Sequence, residues 1–478
     1  MPPSLPPAIP WNMGVLIQRI ASRLGWRDVI GIASLVVYLL IAIVAITSVE
    51  VGFQSRDSVL MLEMARGERT ISASMSAAYI LFLRFVIAAW GEGSLIYIHF
   101  LSSVVAALML VYALGRKHLI SWIGLWILSL PSYAIFNLMV WKDVLFFHAI
   151  IILIAMIITS DRDKLNIRNS YSIIAGLLTV ICLIRLNGMA VAFMTIAAFS
   201  INRINIQFKL TALTLAVVLS LFINHYIGNH YQVEKSALTT TSVGIRMIED
   251  DYLFYALCVS KESLITPPER GSQIFSGLPR YCDNSYSIDV VKHSLSEAEK
   301  KALFDESLSL FTKRPYLWLL VKYKQSNQYL NLKGAFIFPA FVVRLDFLNR
   351  PEFKGRSAFH EAIANWMNRN FSKITHYTFQ PLWIAIFALY ITIRGLSLRF
   401  VNKECELAQY SILEPVALFA ILYYMSLAIP TMPNDTRYFL PATFISLVML
   451  ISTALGDIRL ACGVQVTPLI KNQTRNSV

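Results

Sequence analysis

The feature that most constrains this chain is a series of long apolar runs that recurs from about residue 29 to about residue 456. An α-helix rises about 1.5 Å per residue, so about 20 apolar residues cross the ~30 Å hydrocarbon core of a bilayer. The runs lie at about 29–49, 94–114, 119–138, 144–160, 171–185, 188–202, 209–228, 379–397, 411–429 and 438–456. Composition points the same way. The chain is 56% hydrophobic and 15% charged, where a soluble domain carries about 25% charged residues. The expected fold is an all-α polytopic membrane protein with about ten transmembrane helices.

Charge sets the orientation. With both termini placed in the cytoplasm, the six short inner segments hold 16 Lys/Arg and the short outer segments hold seven, as the positive-inside rule requires. The net charge of +13 is therefore spread over loops rather than gathered in a patch. It points to anionic membrane lipids as partners and excludes a nucleic-acid surface. Arg19, Arg23 and Arg27 precede the first run. That run is too long for a signal-peptide core, and it reads as an uncleaved first span.

The runs divide the chain into three parts. Residues 1–228 form an N-terminal transmembrane module with spans one to seven. Residues 377–478 form a C-terminal module with spans eight to ten and a cytoplasmic tail. Residues 229–376 between them hold 19 Lys/Arg and 15 Asp/Glu, against 23 and 14 in all the rest. This is a mainly helical outer or interfacial domain, too long to obey the positive-inside bias. Its stretch RPYLWLLVKYKQSNQYL reads as an interfacial helix interrupted by Lys322 and Lys324. Residues 50–92 form the first outer loop and read as amphipathic helices lying in the interface. Within it, 75–90 spans only if Arg84 is paired at mid-membrane, which is costly; the topology needs it not to cross.

On this topology three acidic sites emerge at the outer surface: Asp57, Asp143 and Asp435. Lys142 and Arg437 stand beside two of them, and Arg84 and Arg185 lie near the same level. Such a cluster suits an anionic, lipid-linked substrate. Arginine holds phosphate bidentately, and a carboxylate removes a proton from an acceptor hydroxyl. Each member also has a plainer reading. Asp57 is an ordinary loop carboxylate, Lys142-Asp143 a local ion pair or cap at a helix start, Arg437-Tyr438 an interfacial anchor, and Arg84 and Arg185 snorkelling cations.

The layout resembles the GT-C class of membrane glycosyltransferases, which includes the aminoarabinose and protein O-mannosyl transferases and the O-antigen-modifying glucosyltransferases. The residues that carry the resemblance are Arg56-Asp57 in the first outer loop, Trp141-Lys142-Asp143 between spans three and four, and Asp435-Thr-Arg437-Tyr438 with Pro441 at the last span. The large outer domain also fits. The resemblance implies inverting transfer of a sugar from a polyprenyl-phosphate donor to a glycan or lipid-linked acceptor. It implies a bacterial inner membrane with the active site facing the periplasm. Asp57 would be the general base and Asp143 would position acceptor or donor. Lys142 and Arg437 would hold the donor phosphate, with Arg56, Tyr438, Arg84 and Arg185 as further substrate-binding residues. The first outer loop lacks the Asp-x-Asp of metal-dependent members, so no cofactor is implied with certainty and a divalent metal stays open.

Cys258 and Cys282 both fall in the outer domain. In an oxidising compartment they are a candidate disulfide, closing a loop of about 25 residues and stabilising by roughly 3 kcal/mol; two buried free thiols are the alternative. Two rival functions stay open. An O-antigen polymerase or ligase depends on Arg and His in outer loops, and His225, His230 and His293 keep that reading alive. A lipid or solute transporter is the other, although the chain shows no inverted repeat or Gly/Pro-broken midplane spans.

Overall fold

The computed structural model describes residues 26–48, 56–71, 76–114, 122–129, 133, 136–138, 140–163, 167–185, 188–199, 206–231, 251–252, 255, 297–329, 362, 386–391, 393–394, 397, 415–423, 442, 444–448 and 450–451. Among them the regular structure is helical, and no strand is present.

The first apolar run is helix α1 (Trp26–Ser48). Residues 50–92 hold two helices, α2 (Arg56–Arg66) and α3 (Ala77–Trp90). Helix α4 (Ser94–Leu114) follows, then a short α5 (Ile123–Leu128) and the long α6 (Lys142–Asp163). Helices α7 (Ile167–Ile184) and α8 (Gly188–Phe199) form a hairpin, and α9 (Ile206–His230) packs back against α7. Stretches 94–113, 142–160 and 206–230 are long and apolar enough to cross a membrane. The described α8 has 12 residues, so it reaches only about 18 Å, less than the expected sixth span.

Helix α6 is the centre of this body. Its spanning stretch is 83% buried, whereas that of α9 is 22% buried and turns Val218, Leu221 and Phe222 outward. Around α6 lies an aromatic core. The Phe147 ring sits 6.1 Å from Tyr133 and 5.3 Å from Phe444, and Phe136 packs edge-on to Trp141 at 6.0 Å. Phe444 ties the C-terminal part of the chain to this core.

Polar contacts fix the helix directions. Tyr38 on α1 bonds Ser103 on α4, and Asn137 Nδ2 donates to Tyr38 Oη at 3.2 Å. His99 Nδ1 donates to the Asn137 carbonyl at 3.2 Å, and Ser102 Oγ lies 2.7 Å from His148 Nδ1 on α6. Lower down, Trp126 on α5 bonds Ser34 on α1. Helices α1 and α4 are therefore antiparallel, and α4 and α6 run parallel. Both relations follow if successive runs alternate in direction along the chain.

The same contacts place α3. Its N-terminal end lies beside the first turn of α6: Ser76 bonds the Leu183 carbonyl, two residues before Arg185, which pairs with Asp143. Its C-terminal end turns at Gly91 (φ +83°) directly into the start of α4. Both ends of α3 thus sit at one end of the parallel α4–α6 pair. Its 14 residues span about 21 Å, so α3 lies across that end rather than running through the bundle. This agrees with the non-crossing topology.

Two helices are described in the 229–376 region, α10 (Glu297–Lys313) and α11 (Pro315–Tyr329). They pack together with Asp251 and Tyr252 between them. Lys322 Nζ donates to Asp251 Oδ1 at 2.7 Å and Trp318 Nε1 to Asp251 Oδ2 at 2.9 Å. Lys322 therefore does not interrupt α11; a buried carboxylate meets it. Tyr252 donates to Glu306 Oε2 at 2.7 Å. Burial first, and the Glu306 carboxylate second, push its phenol above the usual range, so it stays a donor.

Candidate functional site

Helix α6 begins where Val144 N–H closes the first turn on the Trp141 carbonyl at 3.2 Å. Asp143 lies in that turn, where the exposed N–H groups and the helix dipole favour a negative charge. Arg185 follows the last residue of α7, at the end where the dipole favours a cation. Packing α7 against α6 brings the two together. Arg185 Nη1 stands 2.6 Å from Asp143 Oδ1, with side chains 9% and 4% exposed. The approach is a close ion pair rather than an aligned hydrogen bond. The Arg185 guanidinium also lies 5.3 Å from the centre of the Phe146 ring, which shares a helix face with Asp143.

Two local features hold this geometry. Gly188 N–H donates to the Arg185 carbonyl at 2.9 Å, closing the tight α7–α8 turn. A Cβ at Gly188 would lie 2.1 Å from the Ile181 carbonyl oxygen, so only glycine fits that approach. Ser76 caps α3 by accepting from Tyr79 N–H at 3.3 Å, and its hydroxyl donates to the Leu183 carbonyl in the last turn of α7. Helix α3 is thereby tied to the end of α7 that carries Arg185. Asp143, Arg185, Phe146, Tyr79 and Ser76 form one buried cluster at the α3-covered end of the bundle, with Lys142 half-buried in the same turn. Removing Arg185 would leave the Asp143 carboxylate buried without this counter-ion, a situation worth several kcal/mol.

Arg84 stands elsewhere. Its Nε donates to the Ala65 carbonyl at 3.0 Å and its Nη2 to the Met64 carbonyl at 3.1 Å. These are carbonyls of the last turn of α2, which ends with Gly67 at φ +81°. Gly67 N–H donates to Met64 O at 3.2 Å and Glu68 N–H to Glu63 O at 3.0 Å, the Schellman pattern. Arg84 thus caps α2, and Arg66 Nε reaches Glu92 at 2.6 Å to pin the same end to the α3–α4 turn. Asp57 and Arg56 fall in the first turn of α2 by backbone; their side chains lie outside the described residues. So do Arg437, Tyr438, Asp435, Cys258, Cys282 and His293. His225 and His230 are described on the exposed end of α9, where His230 stacks on Tyr226 at 4.1 Å. Cys182 is a buried free thiol. Among the described residues no group of three or more His, Cys, Asp or Glu stands together to hold a metal ion.

Sequence reasoning passed over the polar layer of Tyr38, His99, Ser102, Ser103, Asn137 and His148, which lies deeper in the bundle than Asp143. The signal that could have found it is the presence of His99 and His148 inside apolar runs, since ionisable side chains at that depth are rare and face inward. Ser76 and Tyr79 carried no such signal.

No protein-family model matches the chain, and comparison with curated proteins finds no match. Among solved structures the chain is similar to the crystal structure of ArnT from Cupriavidus metallidurans bound to undecaprenyl phosphate. Identity is 12% and the TM-score 0.35, over 91% of this chain and 81% of that one. A superposition that loose carries no functional inference, and the roles below rest on this chain's own residues.

Proposed function

We propose that this chain is an integral-membrane glycosyltransferase of the GT-C kind. It moves a sugar from a polyprenyl-phosphate donor to a glycan or lipid-linked acceptor at the periplasmic face of a bacterial inner membrane. The observation that supports this reading most directly is the Asp143–Arg185 pair. Two charges from separate apolar helices meet beneath α3 at one end of the bundle, a position that would suit a lipid phosphate entering from a leaflet.

Asp57, at the start of α2, takes the proton of the acceptor hydroxyl. The acceptor oxygen then forms its bond to the anomeric carbon as the bond from that carbon to the phosphate oxygen breaks. The electron pair leaves with the polyprenyl phosphate, and a single displacement inverts the sugar carbon. Lys142 and Arg437 hold the donor phosphate and meet the charge that grows on it, often the largest catalytic contribution. Arg56 and Tyr438 complete the phosphate contacts. Asp143 orients donor or acceptor while Arg185 fixes its position. Arg84 acts through α2, whose end it holds. A Cys258–Cys282 disulfide would brace the outer domain.

The test compares wild type with Asp57→Asn in purified membranes given a panel of polyprenyl-phosphate sugars, following sugar linked to glycan. The reading expects transfer by wild type and none by the folded variant. Equal transfer by both moves the base to another residue. No transfer by wild type from any donor favours the O-antigen polymerase, ligase or transporter readings.

A further inference from the structure

Helix α11 is apolar on two sides. Leu317 and Val321 are buried, and Trp318 and Lys322 on the same side close on Asp251. At about 100° per residue, Tyr316, Leu319 and Leu320 fall on the opposite arc. They are 61%, 61% and 37% exposed, comparable to Val218, Leu221 and Phe222 on the outward face of α9 at 58%, 54% and 66%. A helix with apolar residues on both faces calls for cover on both.

The charges beside the arc indicate what covers it. Lys313 and Arg314 are exposed at its N-terminal end. Arg314 precedes Pro315, and its carbonyl accepts from Leu317 N–H at 2.9 Å, so it stands at the positive end of α11. Lys313 and Arg314 also close α10, whose C-terminal end suits a cation, and their exposed charges stand beside the apolar arc. The 15 residues of α11 reach about 22 Å, short of a bilayer, so the helix can lie in the interface but not cross it. Tyrosine and leucine beside Lys/Arg is the composition found at headgroup level.

We infer that Tyr316, Leu319 and Leu320 dock α11 into the outer-leaflet interface, with Lys313 and Arg314 on the headgroups of anionic phospholipid. The outer domain is then held against the bilayer by a contact of its own, separate from the transmembrane helices. This does not rest on the transferase reading, because a polymerase or transporter with this domain would make the same contact.

The test uses the full chain in nanodiscs of phosphatidylethanolamine and phosphatidylglycerol, with p-benzoylphenylalanine replacing Leu319 and, separately, Tyr316. After irradiation, mass spectrometry reads phospholipid adducts. The same probe replacing Asp305, exposed on α10, is the reference. Adduct yield at 316 and 319 should exceed the reference several-fold. It should fall several-fold when phosphatidylcholine replaces phosphatidylglycerol, and likewise in the Lys313→Glu/Arg314→Glu chain. Adducts at the reference level overturn the inference, as do crosslinks that run to a second copy or to another segment of this chain.

Discussion

Arg84 and Arg185 look alike in the sequence, each a lone arginine in or beside an apolar helix near the outer end of the bundle. The structure uses them differently. Arg84 donates to two main-chain carbonyls and closes the end of α2. Arg185 faces the buried Asp143 carboxylate. The first arrangement is a cap, in which the cation meets the partial negative charge of a helix end and leaves no full charge behind if it is lost. The second is a pair in which each partner depends on the other. A cation beside an apolar helix is thus not one kind of signal: its meaning is set by whether its acceptor is a helix terminus or a side chain. Lys209 repeats the first pattern, buried with Nζ 3.1 Å from the Phe199 carbonyl at the end of α8. Lys322 repeats the second with Asp251.

The contrast is broken most severely at the pair. Arg185→Ala leaves Asp143 buried and uncompensated and should cost about 3–5 kcal/mol, read as a lowered midpoint in chemical unfolding of the solubilised protein. The double change Asp143→Leu/Arg185→Met should recover most of that stability while sugar transfer stays lost. A double variant that transfers sugar normally would reduce the pair to a structural contact. Next comes the turn that sets Arg185. Gly188→Ala forces a Cβ against the Ile181 carbonyl and should cost about 1–3 kcal/mol by the same assay, with transfer falling alongside. Smaller still is the cap. Arg84→Ala removes two charge-assisted hydrogen bonds, to the Ala65 carbonyl and to a Met64 carbonyl that keeps the Gly67 N–H, and should cost about 1–2 kcal/mol. Its loss should appear in hydrogen exchange as faster opening of α2 alone. Protection lost in α6 and α7 as well would mean that the cap and the pair are one coupled unit.

Much of the bundle was legible because long apolar runs bounded by charge constrain a chain strongly. The run at 94–114 became a helix with those bounds, and Lys142-Asp143 proved to be the start of α6. The tight turn through Arg185-Leu-Asn-Gly188 was likewise readable from its polar residues and glycine. Of the site, Asp143 and Arg185 were both identified, but not their partnership. That pairing depends on how α7 packs on α6, which hydropathy does not encode. Arg84 illustrates the same limit, because its acceptors are backbone atoms and a carbonyl has no sequence signature. The Tyr38–Asn137–His99 layer was missed for a related reason: each member is a single polar residue in a run read as uniformly apolar.

That layer bears on how the chain is made. Tyr38 finds its hydroxyl partners 65 and 99 residues further along, at Ser103 and Asn137. At a synthesis rate of about 5–20 residues per second, the last of these emerges roughly 5–20 s after Tyr38. During that interval α1 is already long enough to occupy the bilayer while its phenol lacks the hydrogen bonds of the finished protein. The contact that joins α1 to the bundle is therefore a late event in biogenesis, although α1 precedes both partners in the chain.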